Sequence, residues 1–262
     1  MIKIKTPAEI EIMAEGGKIL GEIRRKILEK VKSGTSTLEL NETAEELISK
    51  SGGEPSFKTV KNYPYATCMC VNETVVHGFP DKRPLKNGDI LGVDVGLLYK
   101  GFHTDTSWTI AVGEKTGKTR LFLKAGETAL KNAIVAAVAG NRVGDISFAI
   151  EKTIIAAGCS PVRQLVGHGV GQKLHEDPEI PCFLKKPIGK TPLLREGMTL
   201  AIEIIYMAGR PEVIYRGDDD WTIVTGDGFP SALFEQTIAV TSNGPRILTL
   251  DGKFDRIKAA GP

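Results

Sequence analysis

Three apolar stretches of the sequence each contain one carboxylate near their middle. They are Ile-Leu-Gly-Val-Asp94-Val-Gly-Leu-Leu, Leu-Ala-Ile-Glu203-Ile-Ile-Tyr and Ala-Leu-Phe-Glu235-Gln-Thr-Ile-Ala-Val. Stretches of this kind are typical of buried strands, and a buried carboxylate is costly unless it is protonated, paired or bound to a metal ion. No lysine or arginine lies within the three stretches. The positive charge that these carboxylates face is therefore a metal ion or an arginine from elsewhere in the chain.

The segment from Asp94 to Asp105 predicts a β-hairpin that turns at Lys100-Gly101. A two-residue turn there sets Asp94 opposite Ser107 on the returning strand. Asp105 lies two positions from Ser107 on the same face, which places its backbone roughly 7–8 Å from that of Asp94. Both side chains would then reach one ion, whereas a bulge or a three-residue turn would separate them. Turn and salt-bridge roles are the structural alternative for both residues.

Two of the four histidines lie in or near a glycine-rich segment. His168 is flanked by glycines in Val-Gly-His-Gly-Val-Gly, and His175 follows seven residues later. Glycines allow the backbone to bend and approach a ligand closely, although a lone Gly-His-Gly is also typical of a structural loop. His103, two residues before Asp105, is interpreted as a hydrogen-bonded structural histidine.

Together, two Asp, two Glu and one His form an oxygen-rich set of candidate ligands. Such a set suits two divalent ions, for example Mn, Fe(II) or Co, better than it suits a thiolate zinc site. Two ions about 3.5–4 Å apart would activate a bridging water and clamp a substrate oxygen, as hydrolysis requires.

The periodicity of apolar residues predicts the elements that must position these side chains. Helices are predicted over 7–32, 37–51, 115–139 and 144–157. The first of them has Thr6 as its N-cap and Pro7 at its first position. Strand-like segments follow each helix pair, at 66–76, 90–99, 103–112, 199–207, 221–225 and 231–240.

An internal repeat relates the two helix pairs. A shift of 106 positions matches Gly34 with Gly140 and Glu45 with Glu151. We infer an α+β fold of two similar halves that share one core, with no linker rich in Pro, Ser or charged residues between them.

Composition excludes several classes of protein. The 262 residues are 41% hydrophobic and 25% charged, which is close to the globular average and argues against a disordered, fibrous or membrane protein. A formal net charge of +2 gives no footprint for nucleic acid or membrane binding. The start has no apolar segment of a signal peptide, and the four cysteines match neither zinc-ribbon nor C-x-x-C redox spacing. We expect a reduced, cytoplasmic protein.

The ordered candidate ligands resemble those of type I methionine aminopeptidases. The contexts that carry the resemblance are Val-Val-His77-Gly, Gly-Phe-His-Thr-Asp105-Thr, Gly-His168-Gly-Val-Gly and His175-Glu-Asp-Pro. It extends from Ile4-Lys-Thr-Pro-Ala-Glu-Ile to Ile247-Leu-Thr-Leu. The resemblance implies an α+β pita-bread (creatinase/aminopeptidase) fold, in which helices cover a central curved antiparallel sheet of two pseudo-symmetric halves. It implies a single catalytic domain over 1–262, with halves of about 1–114 and 115–262.

The resemblance also implies a dinuclear metal site. Asp94 would chelate one ion, and Asp105 and Glu235 would bridge both. His168 and Glu203 would complete the other ion. The two divalent ions would be drawn from Co, Mn, Fe(II), Zn and Ni, since affinity order and cellular supply compete.

Further residues are implied to act on the substrate. His77 would hold the substrate near the scissile amide, His175 would stabilise the developing oxyanion, and Glu203 would relay a proton from the bridging water. The pocket for the methionine side chain (S1) would be apolar and aromatic. Its implied residues are Phe57, Tyr63, Cys68 and Trp221.

The implied activity is removal of the initiator methionine from nascent polypeptides when the second residue is small. The implied partners are nascent N-termini and, transiently, the ribosome; we expect a monomer with no direct nucleic-acid recognition and no membrane contact. The alternatives are an aminopeptidase P or prolidase, a type II enzyme and a non-catalytic binding module. The first candidate ligand at residue 94 disfavours the proline-directed enzymes, and the 34 residues between His168 and Glu203 disfavour type II.

Four positions depart from the pattern usual in the family. Relatives commonly have Thr where Ala201 stands, Pro at Ile204, His at Gln236 and an aromatic residue at Leu174. These departures leave the metal preference and the shape of the S1 pocket open.

Overall fold

The structure is a computed structural model that describes residues 1–217 and 219–253, so the last residues of the predicted domain lie outside the described part. The α-helices within that part are α1 Pro7–Glu29, α2 Thr37–Lys50, α3 Gly117–Ala136 and α4 Val143–Ala156, and short 3-10 helices lie at Ser56–Thr59 and Ile188–Lys190. All four were predicted: the predictions for α1, α2 and α3 extend one to three residues too far at one or both ends, and that for α4 is shifted by one residue. None of the helices in these two ranges has the length and hydrophobicity that a membrane-crossing segment needs.

Capping explains where the helices begin and end. Thr6 and Glu9 form a capping box at the start of α1, with Pro7 at the first helical position, as predicted. The helix ends before the predicted Lys32 because Lys30 and Val31 donate to carbonyls three residues back, which tightens the last turn. Each end of α4 lies 106 residues after the matching end of α2, in agreement with the shift found in the sequence.

Most of the predicted strands are present. The strands of the described residues are β1 Glu54–Pro55, β2 Thr67–Val71, β3 Thr74–Val76, β4 Ile90–Tyr99, β5 Phe102–Ala111, β6 Ser160–Pro161, β7 Val166–Gly169, β8 Glu176–Pro181, β9 Thr199–Met207, β10 Val213–Tyr215, β11 Ile223–Thr225, β12 Ser231–Thr241 and β13 Gly244–Ile247. The predicted strand over 66–76 is wrong as one element, because Asn72 has φ 52° and turns the chain between β2 and β3. The short strands β1, β6, β7, β8, β10 and β13 were not predicted.

Within the described residues, ten strands form one sheet whose central order is β1-β4-β5-β12-β9-β7-β8. Every pairing in it is antiparallel, and β2, β6 and β13 add to β4, β9 and β12 respectively. A smaller sheet runs β10-β11-β3. Helices packed on an antiparallel sheet make the fold α+β, as predicted.

The helices cover one face of the large sheet and leave the other for the candidate ligands. Thr106 accepts a hydrogen bond from Arg24 of α1, and a side chain at Gly126 of α3 would collide with the Phe234 ring. Successive residues of a strand point to opposite faces. Asp105 and Glu235, the neighbours of Thr106 and Phe234, therefore face away from the helices.

Candidate active site

One row of paired residues crosses five strands on the face that the helices leave open. Cys68 pairs with Asp94, Asp94 with Ser107, Ser107 with Glu235, and Glu235 with Glu203. The pairing of Asp94 with Ser107 confirms the register predicted from a two-residue turn. The row brings three of the five candidate ligands into one line across the sheet.

A second row lies two positions along the same strands and contains the other two candidate ligands. Gly96 pairs with Asp105, and Ala201 pairs with both Thr237 and His168. Thr237 joins the two pairs, since its Oγ1 accepts from Asp105 N at 2.9 Å and donates to Asp105 O at 2.8 Å. Because residues two apart share a face, all five candidate ligands meet on one side of the sheet.

Distances between side chains agree with this register. Asp105, His168 and Glu235 are buried, and each offers a ligand atom within 4.8 Å of the others. His168 Nε2 lies 3.5 Å from Glu203 Oε1. Groups at these separations can share one or two cations.

Four carboxylates crowd into this buried space. Burial raises the pKa of Asp94, Glu203 and Glu235 well above ordinary values, and the neighbouring carboxylates raise it further. Burial raises the pKa of Asp105 to about 7. Within the described residues, Asp94 Oδ1 and Glu235 Oε1 have no hydrogen-bond partner. Unpaired buried oxygens among ionisable neighbours are the environment that a divalent cation would stabilise, so these residues fit a metal centre.

His168 is prepared to act as a ligand. Its Nδ1 donates to the carbonyl of Gly169 at 2.8 Å, which leaves the lone pair of Nε2 directed away from the backbone. Burial lowers the pKa of His168 to about 4, so the ring is neutral at physiological pH. A neutral imidazole with a free nitrogen is the form that binds metal ions.

His77 and His175 flank the ligand cluster. The His175 ring centre lies 4.5 Å from that of His168, and the His77 ring packs edge-on against Trp221 at 5.8 Å. His77 has φ 56°, a strained conformation that is uncommon outside glycine and clusters at functional sites. Burial lowers the pKa of His77 to about 4 and also lowers that of His175. Both rings are therefore neutral hydrogen-bonding groups.

The four residues named for the S1 pocket form one apolar cluster beside the ligands. Tyr63 is central to it, with ring centres 6.3 Å from Phe57 and 5.2 Å from Trp221, and its hydroxyl lies 3.1 Å from Cys68 Sγ. The cluster also includes residues that were not assigned to the pocket from the sequence: Val60, Tyr65, Phe79 and Leu174. Tyr65 and Phe79 each lie two residues after a residue already assigned to the site, Tyr63 and His77 respectively, and this short spacing is the signal that could have identified them.

Two cavities meet at the ligand cluster. A small one of about 70 Å³ lies between the aromatic cluster and Asp94, Asp105 and Glu235. A larger cleft of about 950 Å³ opens on the other side. His77, His168, His175 and Glu203 line both. The arrangement can enclose one side chain in the small cavity while an attached chain leaves through the cleft.

His103 and the positions that depart from the family pattern have distinct surroundings. His103 Nδ1 shares a hydrogen bond with Ser56 Oγ at 2.9 Å, which agrees with the structural interpretation. Gln236 accepts from Thr249 on the helix-covered side and so does not face the ligands. Ala201 lies beside His168 in the second row, while Leu174 packs in the aromatic cluster. Ala201 and Leu174 are thus the departures that bear on the site.

The sheet and its cluster of carboxylates and imidazoles define the class of protein as a metal-dependent hydrolase. The family model described as Metallopeptidase family M24 matches residues 11–242. A methionine aminopeptidase of Clostridium perfringens is 44% identical over 95% of this chain and 99% of its own, and methionine aminopeptidase 1 of Bacillus subtilis is 43% identical with the same coverage.

Solved structures give the same relationship. The crystal structure of a methionine aminopeptidase from Thermotoga maritima superposes with a TM-score of 0.92 at 41% identity, over 95% of this chain and 100% of that one. A prolidase from Pyrococcus furiosus gives 0.76 at 25% identity, over 94% of this chain and 65% of that one. The chain belongs to metallopeptidase family M24, and its fold is the pita-bread fold expected from the sequence.

Proposed function

We propose that the chain is a methionine aminopeptidase, which hydrolytically removes the N-terminal methionine from nascent polypeptides when the second residue is small. The observation that carries the proposal is the small cavity that lies between the aromatic cluster and the ligand cluster and adjoins an open cleft. A small pocket for one side chain and an exit for the rest of the chain are what an exopeptidase requires. The named relatives at 44% and 43% identity support the same activity.

The proposed metal centre contains two divalent ions. Asp94 would hold one ion, His168 and Glu203 the other, and Asp105 and Glu235 would contact both. When bound, such ions supply Lewis-acid polarisation of the scissile carbonyl and make an attacking water more acidic. Metal use follows from the family, whereas the number of ions and the choice among Co, Mn, Fe(II), Zn and Ni belong to the proposal.

The surrounding residues would bind the substrate and move protons. The methionine side chain would enter the S1 pocket formed by Phe57, Tyr63, Cys68 and Trp221. His77 would then donate to the substrate beside the scissile amide, and His175 would donate to the carbonyl oxygen as negative charge develops there. Glu203, 3.5 Å from His168 Nε2, would take the proton of the attacking water and pass it to the leaving amine.

A bulky second residue would crowd His77 and His175, which line both cavities. The proposal therefore restricts that residue to small side chains. A single catalytic domain, a monomeric state, a cytoplasmic location and a transient contact with the ribosome belong to it as well. The four cysteines, all within the described residues, are free thiols, which supports a reducing compartment.

Hydrolysis of three peptides tests the proposal. Protein stripped with EDTA and reloaded with Mn, Fe(II) or Co is expected to cleave Met-Ala-Ser about 10–200-fold faster than Met-Leu-Ser. The larger second side chain of Met-Leu-Ser would crowd His77 and His175 in the transition state. Ala-Pro-Ala should remain intact, and stripped protein should be inactive. Cleavage of Ala-Pro-Ala alone would assign the chain to the proline-directed branch, and activity without metal would contradict the dinuclear mechanism.

A further inference from the structure

A buried ion pair links the N-terminal segment to the residue that follows His175. Lys5 Nζ lies 2.6 Å from Glu176 Oε2, and the two side chains are only 5% and 6% exposed. By contrast, the pair formed by Lys50 and Glu46 is 68% and 61% exposed. Burying two charges is costly, and removing one of them leaves the other uncompensated. The Lys5–Glu176 ion pair therefore constrains the position of both segments.

The Lys5 end of the pair is rigidly held. The residue directly precedes Thr6, the N-cap of α1. Its backbone N–H donates to the carbonyl of Gly197 at 2.8 Å. Gly197 has φ +86°, and a side chain there would lie 2.7 Å from Lys5 O. The fixed backbone and the burial of the side chain together hold the ammonium group in place.

The Glu176 end closes the turn over residues 170–176, which carries His175. Glu176 Oε1 accepts from Lys173 N at 3.2 Å, and Gly171 N donates to Lys173 O at 3.0 Å. Gly171 O in turn accepts from His103 N at 2.7 Å. A side chain at Gly171 would lie 2.6 Å from Lys5 Nζ, so the ammonium group packs directly against the turn. The turn is thus fixed from two sides, by β5 and by Lys5.

We propose that the Lys5–Glu176 ion pair positions His175 for oxyanion stabilisation, an inference that rests on the proposed function. Glu176 also lines the open cleft. Without Lys5, the uncompensated carboxylate would turn toward water in the cleft, and the adjacent His175 would move with it. A shift of about 1 Å in such a group lowers the rate on the order of 100-fold, while substrate binding in the S1 pocket is unaffected. Lys5 and Glu176 are positioning residues and touch no reacting atom.

The first test compares Lys5→Met with Lys50→Met, which breaks an exposed ion pair. Lys5→Met is expected to lower kcat for Met-Ala-Ser about 10–100-fold, with KM and bound metal unchanged. Backbone amide exchange over 171–176 should accelerate in the metal-free variant. Lys50→Met should match the wild type in every measurement. An unchanged kcat in Lys5→Met, or a fall accompanied by equal metal loss, would overturn the proposal.

Two further variants separate positioning from stability. Lys5→Met/Glu176→Gln removes both charges, so it should regain the melting temperature lost in Lys5→Met while kcat stays low; recovery of both would show a purely structural role. Should Lys5→Met fail to fold, Glu176→Gln, which keeps an acceptor for Lys173 N, decides the same question by its kcat. Failure of the wild type to cleave Met-Ala-Ser would refute the proposed function. Unchanged backbone amide exchange over 171–176 in Lys5→Met would separately refute the positioning proposal.

Discussion

Asp105→Asn is expected to abolish peptide cleavage. Asp105 is buried in the second row of paired residues, with ligand atoms of His168 and Glu235 within 4.8 Å. An amide cannot bridge two cations as a carboxylate does, so at least one ion should be lost. The several kcal/mol of transition-state stabilisation that bound ions would provide correspond to a fall in kcat on the order of 1,000-fold. Steady-state kinetics and metal analysis of the purified variant measure both effects.

The same substitution is expected to stabilise the metal-free protein. The pKa of Asp105 is raised to about 7 in the folded state by burial, against an ordinary value near 4. The folded state binds this proton more tightly than the unfolded state, so metal-free wild type loses stability as the pH rises from about 4 through 7. Asp105→Asn lacks this proton equilibrium and should lose less stability over that interval, as melting temperatures in EDTA would show.

Asp145→Asn is the matched control for both measurements. Asp145 accepts a hydrogen bond from Arg142 N at the start of α4, away from the ligand cluster. The Asp145→Asn variant should retain the metal content and the kcat of the wild type. Full activity in Asp105→Asn would contradict the assignment of Asp105 as a metal ligand. An identical pH dependence of stability in metal-free Asp105→Asn and metal-free wild type would contradict its raised pKa.

Glu203→Gln is the second substitution with a large expected effect. It should lower kcat by about 100–10,000-fold, the usual contribution of a positioned general base. Glutamine keeps the size of the side chain, so KM for Met-Ala-Ser should change little. At least one ion should remain bound, since Asp94 and Asp105 are unaltered.

Glu46→Gln, on the exposed face of α2, controls for the chemical change in Glu203→Gln. Its kinetic constants should equal those of the wild type. A Glu203→Gln variant with near-normal kcat and a full complement of metal would show that another group moves the proton.

The clustering of Asp94 with Asp105 could be predicted because local rules determine it. A two-residue turn fixes the register of β4 and β5, and the two-residue repeat of a strand then puts both carboxylates on one face. Glu203 and Glu235 were recognisable because a charge interrupts an apolar strand. Their mutual pairing is a long-range contact that the sequence alone implied only through resemblance to a family.

Other features depend on tertiary contacts that leave weak local signals. The strand β7, which contains His168, is short and rich in glycine. Ala201, with which His168 pairs, lies on another strand far along the chain. Asn72 divides the segment predicted as one strand into two strands through a left-handed turn. The Lys5–Glu176 ion pair joins residues 171 positions apart, so no periodicity could have revealed it.

Anomalous diffraction from crystals of the Mn-loaded protein would locate the cations themselves. We expect two peaks about 3.5–4 Å apart, one beside Asp94 and one beside His168 and Glu203, with Asp105 and Glu235 in contact with both. Peaks that lie away from these five side chains, or a fully loaded and active enzyme with a single peak, would contradict a dinuclear centre built on the two rows of the sheet.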